Sequence, residues 1–287
     1  MKASWRAFGL CLLLVGCTAP VLVPTPTTET PSGPVQQLRL AGPENLEPLL
    51  RALAAAYQRE VPSTQISVLK RADPLAWEAL QNGEVDLSGL AELPEQLPPE
   101  TWVQPLARDG LAVVVNTQNG IPGLTLEQTR LLFQGRVEDW LPWGGLPGMP
   151  QLVTREDASG DTLFFRRRVM GDFPMALTAL LAPTSEALLG VVEEDPLAVG
   201  YVSTARMNGR GRALAIGGVP PVPEMLASGL YPLTRDIVLV APAAPEGALG
   251  DFVQWLAGEH ARDIIQQQGF LLPPGGVSVV PLTAFRR

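Results

Sequence analysis

The chain has 287 residues, of which 46% are hydrophobic, and its 21 basic and 29 acidic side chains give a formal net charge of −8. This acidic balance argues against nucleic acid as a partner, because nucleic-acid-binding proteins present basic surfaces. Two cysteines and one histidine are too few for a disulfide scaffold or a cysteine-based metal site, and no cofactor is expected.

The N-terminal segment has the parts of a signal peptide. Lys2 and Arg6 precede an apolar run over residues 7–15, which is too short for a permanent membrane helix of roughly 20 residues. The end of this run and the next two residues, Leu14-Val15-Gly16-Cys17, match the lipobox of bacterial lipoproteins. We therefore expect residues 1–16 to be removed and Cys17 to carry a lipid anchor on the extracytoplasmic face of the cell membrane. The alternative is an ordinary secretory signal in which Cys17 is incidental.

Residues 17–34 are mostly Pro, Thr, Ser, Val and Gly. Such a composition cannot bury enough apolar surface to fold, and it favours extended chain. The segment is predicted to be a tether between membrane and domain. The remaining residues, 35–287, are numerous enough for two lobes with their own cores.

Short strand patterns and longer helical patterns alternate after the tether, which is typical of an α/β architecture. In residues 46–57, the spacing of Leu46, Leu49, Leu50 and Leu53 predicts a helix with one buried face. Thr125 and Gln128 form a predicted capping box at the start of a helix that reaches Phe133. The predicted strands are 38–41, 66–69, 85–90, 110–115, 152–154, 198–202 and 236–241. The other predicted helices are 74–81, 159–170 and 249–267, the last closed by Gly269.

Five motifs in order resemble the phosphate-binding family of ABC-transporter solute receptors. They are Leu106 to Asn116, Leu124 to Gln128 with Leu132 to Gly135 and Trp140, Arg155 to Gly160, Gly200 to Ser203, and Tyr231 to Arg235. The resemblance implies a two-lobed periplasmic-binding-protein fold with two crossing hinge strands. It also implies that residues 35–111 and 233–287 form lobe 1, that residues 112–232 form lobe 2, and that the ligand binds between them.

Arg155 to Gly160 is similar to the family's anion loop, and its residues are of types that can bind an oxyanion. Arg155 can donate to two oxygens of one oxyanion, and Asp157 can accept the hydrogen of a protonated oxyanion. Ser159 can donate to the ligand or cap its own helix, and Gly160 allows close backbone approach. The alternative is a surface pair of Arg155 with Asp157, and Ser159 as an N-cap only.

The sequence departs from the family pattern at the expected site. The first loop is Gly42-Pro43-Glu44-Asn45, where Glu44 replaces a hydroxyl donor, and Glu92 and Asp161 also stand where donors are expected. With only Arg155 opposite, these acids would repel phosphate. Three hypotheses follow: a rearranged phosphate site, a ligand with cationic or hydroxyl-rich groups, or a degenerate relative. The residues expected to bind the ligand are Gly42, Glu44, Asn45, Arg155, Asp157, Ser159, Gly160 and Asp161.

No catalytic residue or metal ligand is predicted. His260 is expected to be a solvated helix residue, and Arg166-Arg167-Arg168 a solvated face rather than a phosphate patch. The expected function is therefore binding of phosphate or a related oxyanion by a monomeric receptor that serves an ABC permease. The alternative is a sensory or adhesion lipoprotein on the same fold, with a changed or lost ligand.

Overall fold

The structure, a computed structural model, describes residues 35–277. The predicted leader, Cys17 and the tether lie outside this range. The strands are β1 (Gln36–Gly42), β2 (Thr64–Lys70), β3 (Leu87–Leu90), β4 (Trp102–Val115), β5 (Gly123–Leu124), β6 (Gln151–Thr154), β7 (Leu180–Leu181), β8 (Ala198–Ser203), β9 (Arg212–Ala213), β10 (Ala215–Ile216) and β11 (Thr234–Ala241). The α-helices are α1 (Glu47–Glu60), α2 (Asp73–Gln81), α3 (Leu126–Phe133), α4 (Gly160–Phe165), α5 (Ser185–Glu194), α6 (Pro223–Ala227), α7 (Gly247–Trp255) and α8 (Glu259–Gln267). Short 3₁₀ turns cover Leu141–Trp143 and Thr204–Arg206, and a π turn over Arg166–Met170 continues α4.

The strands form a mixed sheet in the order β2-β1-β3-β11-β4-β8-β6-β7. Parallel pairing of β1 with β2 and β3 forms one half of the sheet, and parallel pairing of β6 with β8 forms the other half. These two halves are called the two sides of the molecule below. The sheet and its covering helices therefore have the predicted α/β character.

The long strand β4 connects the two sides of the molecule. Its first part, up to Gly110, pairs with β11, and its second part, from Leu111, pairs with β8, both antiparallel. The return crossing leads through Tyr231 and Leu233 into β11, and the Leu111 amide donates to the Leu233 carbonyl. These are the two crossing strands of a two-lobed fold.

Each side of the sheet has its own core. On the first side, α1, α7 and α8 pack against β1 and β11, and Tyr57 meets the ring of Phe252 edge-on at 5.1 Å. On the second side, Phe133, Phe165 and Tyr201 are wholly buried, and the rings of Phe165 and Tyr201 stack at 4.2 Å. Separate cores allow the two sides to behave as lobes.

Several local predictions are confirmed. The predicted apolar face of α1 is buried, the Thr125–Gln128 capping box is formed, and Gly269 ends α8 with a positive φ of 85°. The predicted single helix over 249–267 is wrong. The chain forms α7 and α8 instead, because Gly258 adopts extended backbone angles as the N-cap of α8. The predicted strand 110–115 is also too short, since β4 begins at Trp102.

Within residues 35–277, no helix combines the length and apolar character that a bilayer crossing requires. In the same range, no three His, Cys, Asp or Glu side chains are grouped as a metal site would need.

Candidate functional site

A cavity of about 300 Å³ opens where loops from the two sides of the molecule meet. Its walls are the loop after β1, the loop after β2, the loop between β6 and α4, and the residues that precede α5. Six of the eight predicted ligand residues line it, namely Glu44, Asn45, Arg155, Ser159, Gly160 and Asp161. Residues more than 100 positions apart in the chain are thus assembled around one space.

Two predicted residues do not line the cavity. Gly42 ends β1 and lies under α1, where an added Cβ would collide with the Leu50 side chain, so its small size serves packing. Asp157, which was predicted to contact the ligand, lies outside the cavity lining. Its side chain is 81% exposed and pairs with Arg166 at 2.6 Å. The tight turn closed by the Ser159 amide and the Glu156 carbonyl directs it outward.

Arg155 is buried in the cavity wall, and the surface pair with Asp157 does not form. One terminal nitrogen, Nη1, donates to Glu44 Oε2 and to Ser185 Oγ, both at 3.0 Å, and Nη2 donates to the Pro183 carbonyl at 3.2 Å. The guanidinium is 3% exposed. Its orientation is therefore fixed by neutral oxygens and by one carboxylate.

Glu44 reaches across the cavity from the loop after β1. Its Oε2 accepts from Arg155, from Ser185 Oγ at 3.0 Å and from the Ser185 amide at 3.4 Å. Ser185 begins α5, and Thr184 caps that helix by accepting from the Ala187 amide. The sequence reasoning missed Ser185, although Thr184-Ser185-Glu186 has the composition of a helix start.

Ser159 acts as the N-cap of α4, because its hydroxyl accepts from the Thr162 amide at 3.2 Å. This is the second of the two roles considered for it. Gly160 follows, and a Cβ there would collide with the buried carboxylate of Asp73. The close approach that Gly160 allows is made by this carboxylate.

Asp161 belongs to a buried charge cluster. Arg235 Nη2 lies 2.5 Å from Asp161 Oδ1 and 2.9 Å from Asp109 Oδ2. The side-chain amide of Asn45 donates to Asp161 Oδ1 at 3.0 Å. Burial alone would lower the pKa of Arg235, but the attraction of Asp161 and Asp109 outweighs burial and raises it. Arg235 is therefore a fixed cation behind the cavity.

Two further carboxyl groups near the cavity have raised pKa values. Burial raises the pKa of Asp73 to about 6, although Oδ1 accepts from the amides of Glu92 and Ala91. Its Oδ2 is buried and makes no hydrogen bond within the described residues. Burial likewise raises the pKa of Glu92 to about 7, against the attraction of Arg167, which pairs with it at 2.7 Å.

The structure shows cations other than Arg155 next to the acids of the site. The three acids that replace expected donors each pair with an arginine, Glu44 with Arg155, Asp161 with Arg235 and Glu92 with Arg167, and Asp157 pairs with Arg166. Two of the three consecutive arginines thus serve separate ion pairs, and the third, Arg168, donates to the Pro232 carbonyl.

Lys70, the last residue of β2, and Arg71, the first residue after it, add positive charge to the cavity wall. The sequence reasoning did not single them out, although a basic pair directly after a predicted strand was visible. His260 lies elsewhere, on α8, where it contacts Glu60 of α1 at 2.5 Å. It does not reach Ser159.

Comparisons with known proteins agree with this architecture. The model of the PBP superfamily domain matches residues 27–260. The phosphate-binding protein PstS of Bacillus subtilis is 24% identical over 240 residues, which cover 82% of this chain and 80% of that protein. PstS of Pseudomonas aeruginosa PAO1 is 23% identical over 286 residues, 88% of each chain.

Among solved structures, the chain is similar to an ABC-type phosphate transport receptor from Vibrio cholerae. The TM-score is 0.75 at 25% identity, with 82% of this chain and all of that chain covered. The matched range includes the cavity-lining loops and both crossing strands. This chain therefore belongs to the PBP superfamily and has its two-lobed α/β fold, as a divergent relative of phosphate-binding proteins.

Proposed function

We propose that this protein is an extracytoplasmic solute receptor that binds phosphate or a related oxyanion and delivers it to an ABC permease. The relatives in Bacillus and Pseudomonas are named phosphate-binding proteins, and the Vibrio structure is named a phosphate transport receptor. These names describe receptors rather than enzymes. The proposed receptor is a monomer with no nucleic-acid partner and no cofactor.

The observation that carries the proposal is the buried guanidinium of Arg155 in the wall of an open cavity. This guanidinium contacts two neutral oxygens and the Glu44 carboxylate. A buried cation is a strong partner for an oxyanion, because its hydrogen bonds are charge-assisted and poorly screened. Lys70 and Arg71 add positive charge at the same wall. We propose that the ligand site is lined by Glu44, Asn45, Arg155, Ser159, Gly160 and Asp161, with Ser185 as a further donor, and we assign Gly42 a packing role.

We also propose the cellular arrangement that the sequence predicts. Cys17 would carry the lipid anchor, residues 17–34 would form the tether, and the lobes would divide near residues 111 and 232. The hydrogen bond between Leu111 and Leu233, at the place where β4 changes its partner strand, supports this division.

Calorimetric titration of the soluble domain with phosphate and sulfate tests the proposal. Arg155→Ala should weaken phosphate binding by about 1.5–3 kcal/mol, the scale of a hydrogen bond to a charged group. Arg166→Ala is the matched control, because Arg166 pairs with the exposed Asp157 outside the cavity. Equal affinities in the parent and in Arg155→Ala would refute the assignment of Arg155.

A second candidate is a sensory or adhesion lipoprotein whose ligand has changed or been lost. The observation that favours it is the carboxylate of Glu44, which occupies the donors of Arg155. A parent protein that binds neither phosphate nor sulfate in the same titration would support this second candidate.

A further inference from the structure

The carboxylate of Glu44 is held in the way a bound oxyanion would be held. One oxygen, Oε2, receives a guanidinium N–H, a hydroxyl and the first amide of a ten-residue helix, at 3.0, 3.0 and 3.4 Å. Cations, hydroxyls and free amides at helix N-termini are the groups that bind phosphate and carboxylate in proteins. The donors are also buried, Arg155 at 3% and Ser185 at 2% exposure.

The donors and the carboxylate come from opposite sides of the cavity. Arg155 follows β6 and Ser185 starts α5, while Glu44 follows β1. Two more contacts cross between the same lobes: the Asn45 side-chain amide donates to Asp161, and Arg167 pairs with Glu92. The bond to Glu44 therefore connects the two lobes.

The Glu44 side chain is also placed so that it can move away from these donors. Its side chain is 27% exposed, in contrast to the donors that hold it, and it lines the open cavity. Ser185 is not needed to cap α5, since Thr184 does that. The three donors would therefore persist as a group if Glu44 withdrew.

We propose that Arg155, Ser185 and the first amide of α5 form an oxyanion subsite whose donors are bound by the Glu44 carboxylate until an external oxyanion replaces it. An external oxyanion then binds by exchange with this carboxylate, and Glu44 sets the affinity by competing for the donors. The proposal rests on the proposed function of the cavity and deepens it, because it identifies an internal competitor and adds Ser185 to the binding residues.

The test compares phosphate titrations of the parent, Glu44→Gln and Glu156→Gln. Gln keeps the size of the side chain and one acceptor oxygen but removes the charge, so phosphate affinity should rise at least tenfold, about 1.4 kcal/mol. Glu156→Gln is the control, because Glu156 lines the same cavity but is half exposed and lies 3.9 Å from Arg155. It should change the affinity less than threefold.

Adding Ser185→Ala to Glu44→Gln should reverse most of the gain, and melting curves without phosphate check that each variant folds. Small-angle scattering gives a second readout, in which ligand-free Glu44→Gln should be more expanded than the parent and contract with phosphate.

If the parent binds phosphate and Glu44→Gln binds it equally or more weakly, Glu44 is not a competitor, and the proposed function still stands. If no variant binds phosphate or sulfate, both proposals are wrong. If only Glu44→Gln binds, the competitor is supported, and phosphate binding by the parent is refuted.

Discussion

Arg235 and Asp161 lie against each other at 2.5 Å although 74 residues separate them, and both are buried behind the cavity. Arg235 comes from the start of β11 and Asp161 from the start of α4, so the contact joins the returning crossing strand to the anion loop. A second buried acid, Asp109 on β4, shares the same guanidinium. The position of the loop therefore depends on a charge cluster at the crossing strands.

Arg235→Ala should lower the free energy of unfolding by about 3–5 kcal/mol, because it leaves two buried carboxylates without a cation. Denaturant unfolding followed by circular dichroism measures the change. Arg166→Ala should have little effect, since exposed ion pairs contribute little to stability. Similar losses in the two variants would contradict a special role for the buried cluster.

The raised pKa values of Asp73 and Glu92 predict that stability falls as pH rises between about 4 and 7. Burial raises these pKa values to about 6 and about 7 in the folded chain, from 3.8 and 4.5. The folded state thus holds protons that the unfolded chain has released, and folding becomes less favourable as pH rises through this window.

Asp73→Asn should flatten this pH dependence and raise stability near pH 8, because Asn keeps an acceptor for the amides of Ala91 and Glu92. Unfolding free energies measured from pH 4 to 8 test this. Glu156→Gln, which changes a half-exposed carboxyl on the same cavity, is measured alongside as the control. A parental slope in Asp73→Asn would show that Asp73 ionises normally.

Much of the fold follows from local patterns in the sequence. The burial of Leu49, Leu50 and Leu53 on α1 follows from 3.6-residue periodicity, and the cap at Thr125 follows from a four-residue motif. The break between α7 and α8 was missed because the apolar spacing continues through residues 256–258. There the backbone preference of a single glycine decides the outcome.

The electrostatics of the site could not be predicted in the same way. The sequence shows acids at Glu44 and Asp161 but not their partners, which lie 111 and 74 positions away along the chain. Local sequence cannot show which distant charges become neighbours. The sequence analysis considered only Arg155 opposite these acids and missed Arg235 and Arg167. The position of the Arg155 loop at the cavity could be predicted from the family pattern.

Cys17→Ser should release the protein from the membrane, because two acyl chains on one cysteine give stable anchoring. Cys17 lies outside the described residues, so this prediction rests on the lipobox alone. Fractionation of cells that express the parent and the variant measures it, with Cys11→Ser as the control, since Cys11 lies in the predicted leader. A variant that stays with the membrane fraction would refute the anchor.

Gly160→Ala separates two explanations for this glycine. In the structure the added methyl group would collide with the Asp73 carboxylate, which would have to leave the amides that hold it, so stability should fall. In an Asp73→Ala background the same change should cost less, with a coupling energy of about 1 kcal/mol or more, as expected for side chains in contact. Denaturant unfolding of the parent, the two single variants and the double variant gives this coupling. Should Gly160 instead serve only the approach of the ligand, Gly160→Ala would weaken phosphate binding in calorimetry, leave the unfolding free energy unchanged and show no coupling to Asp73.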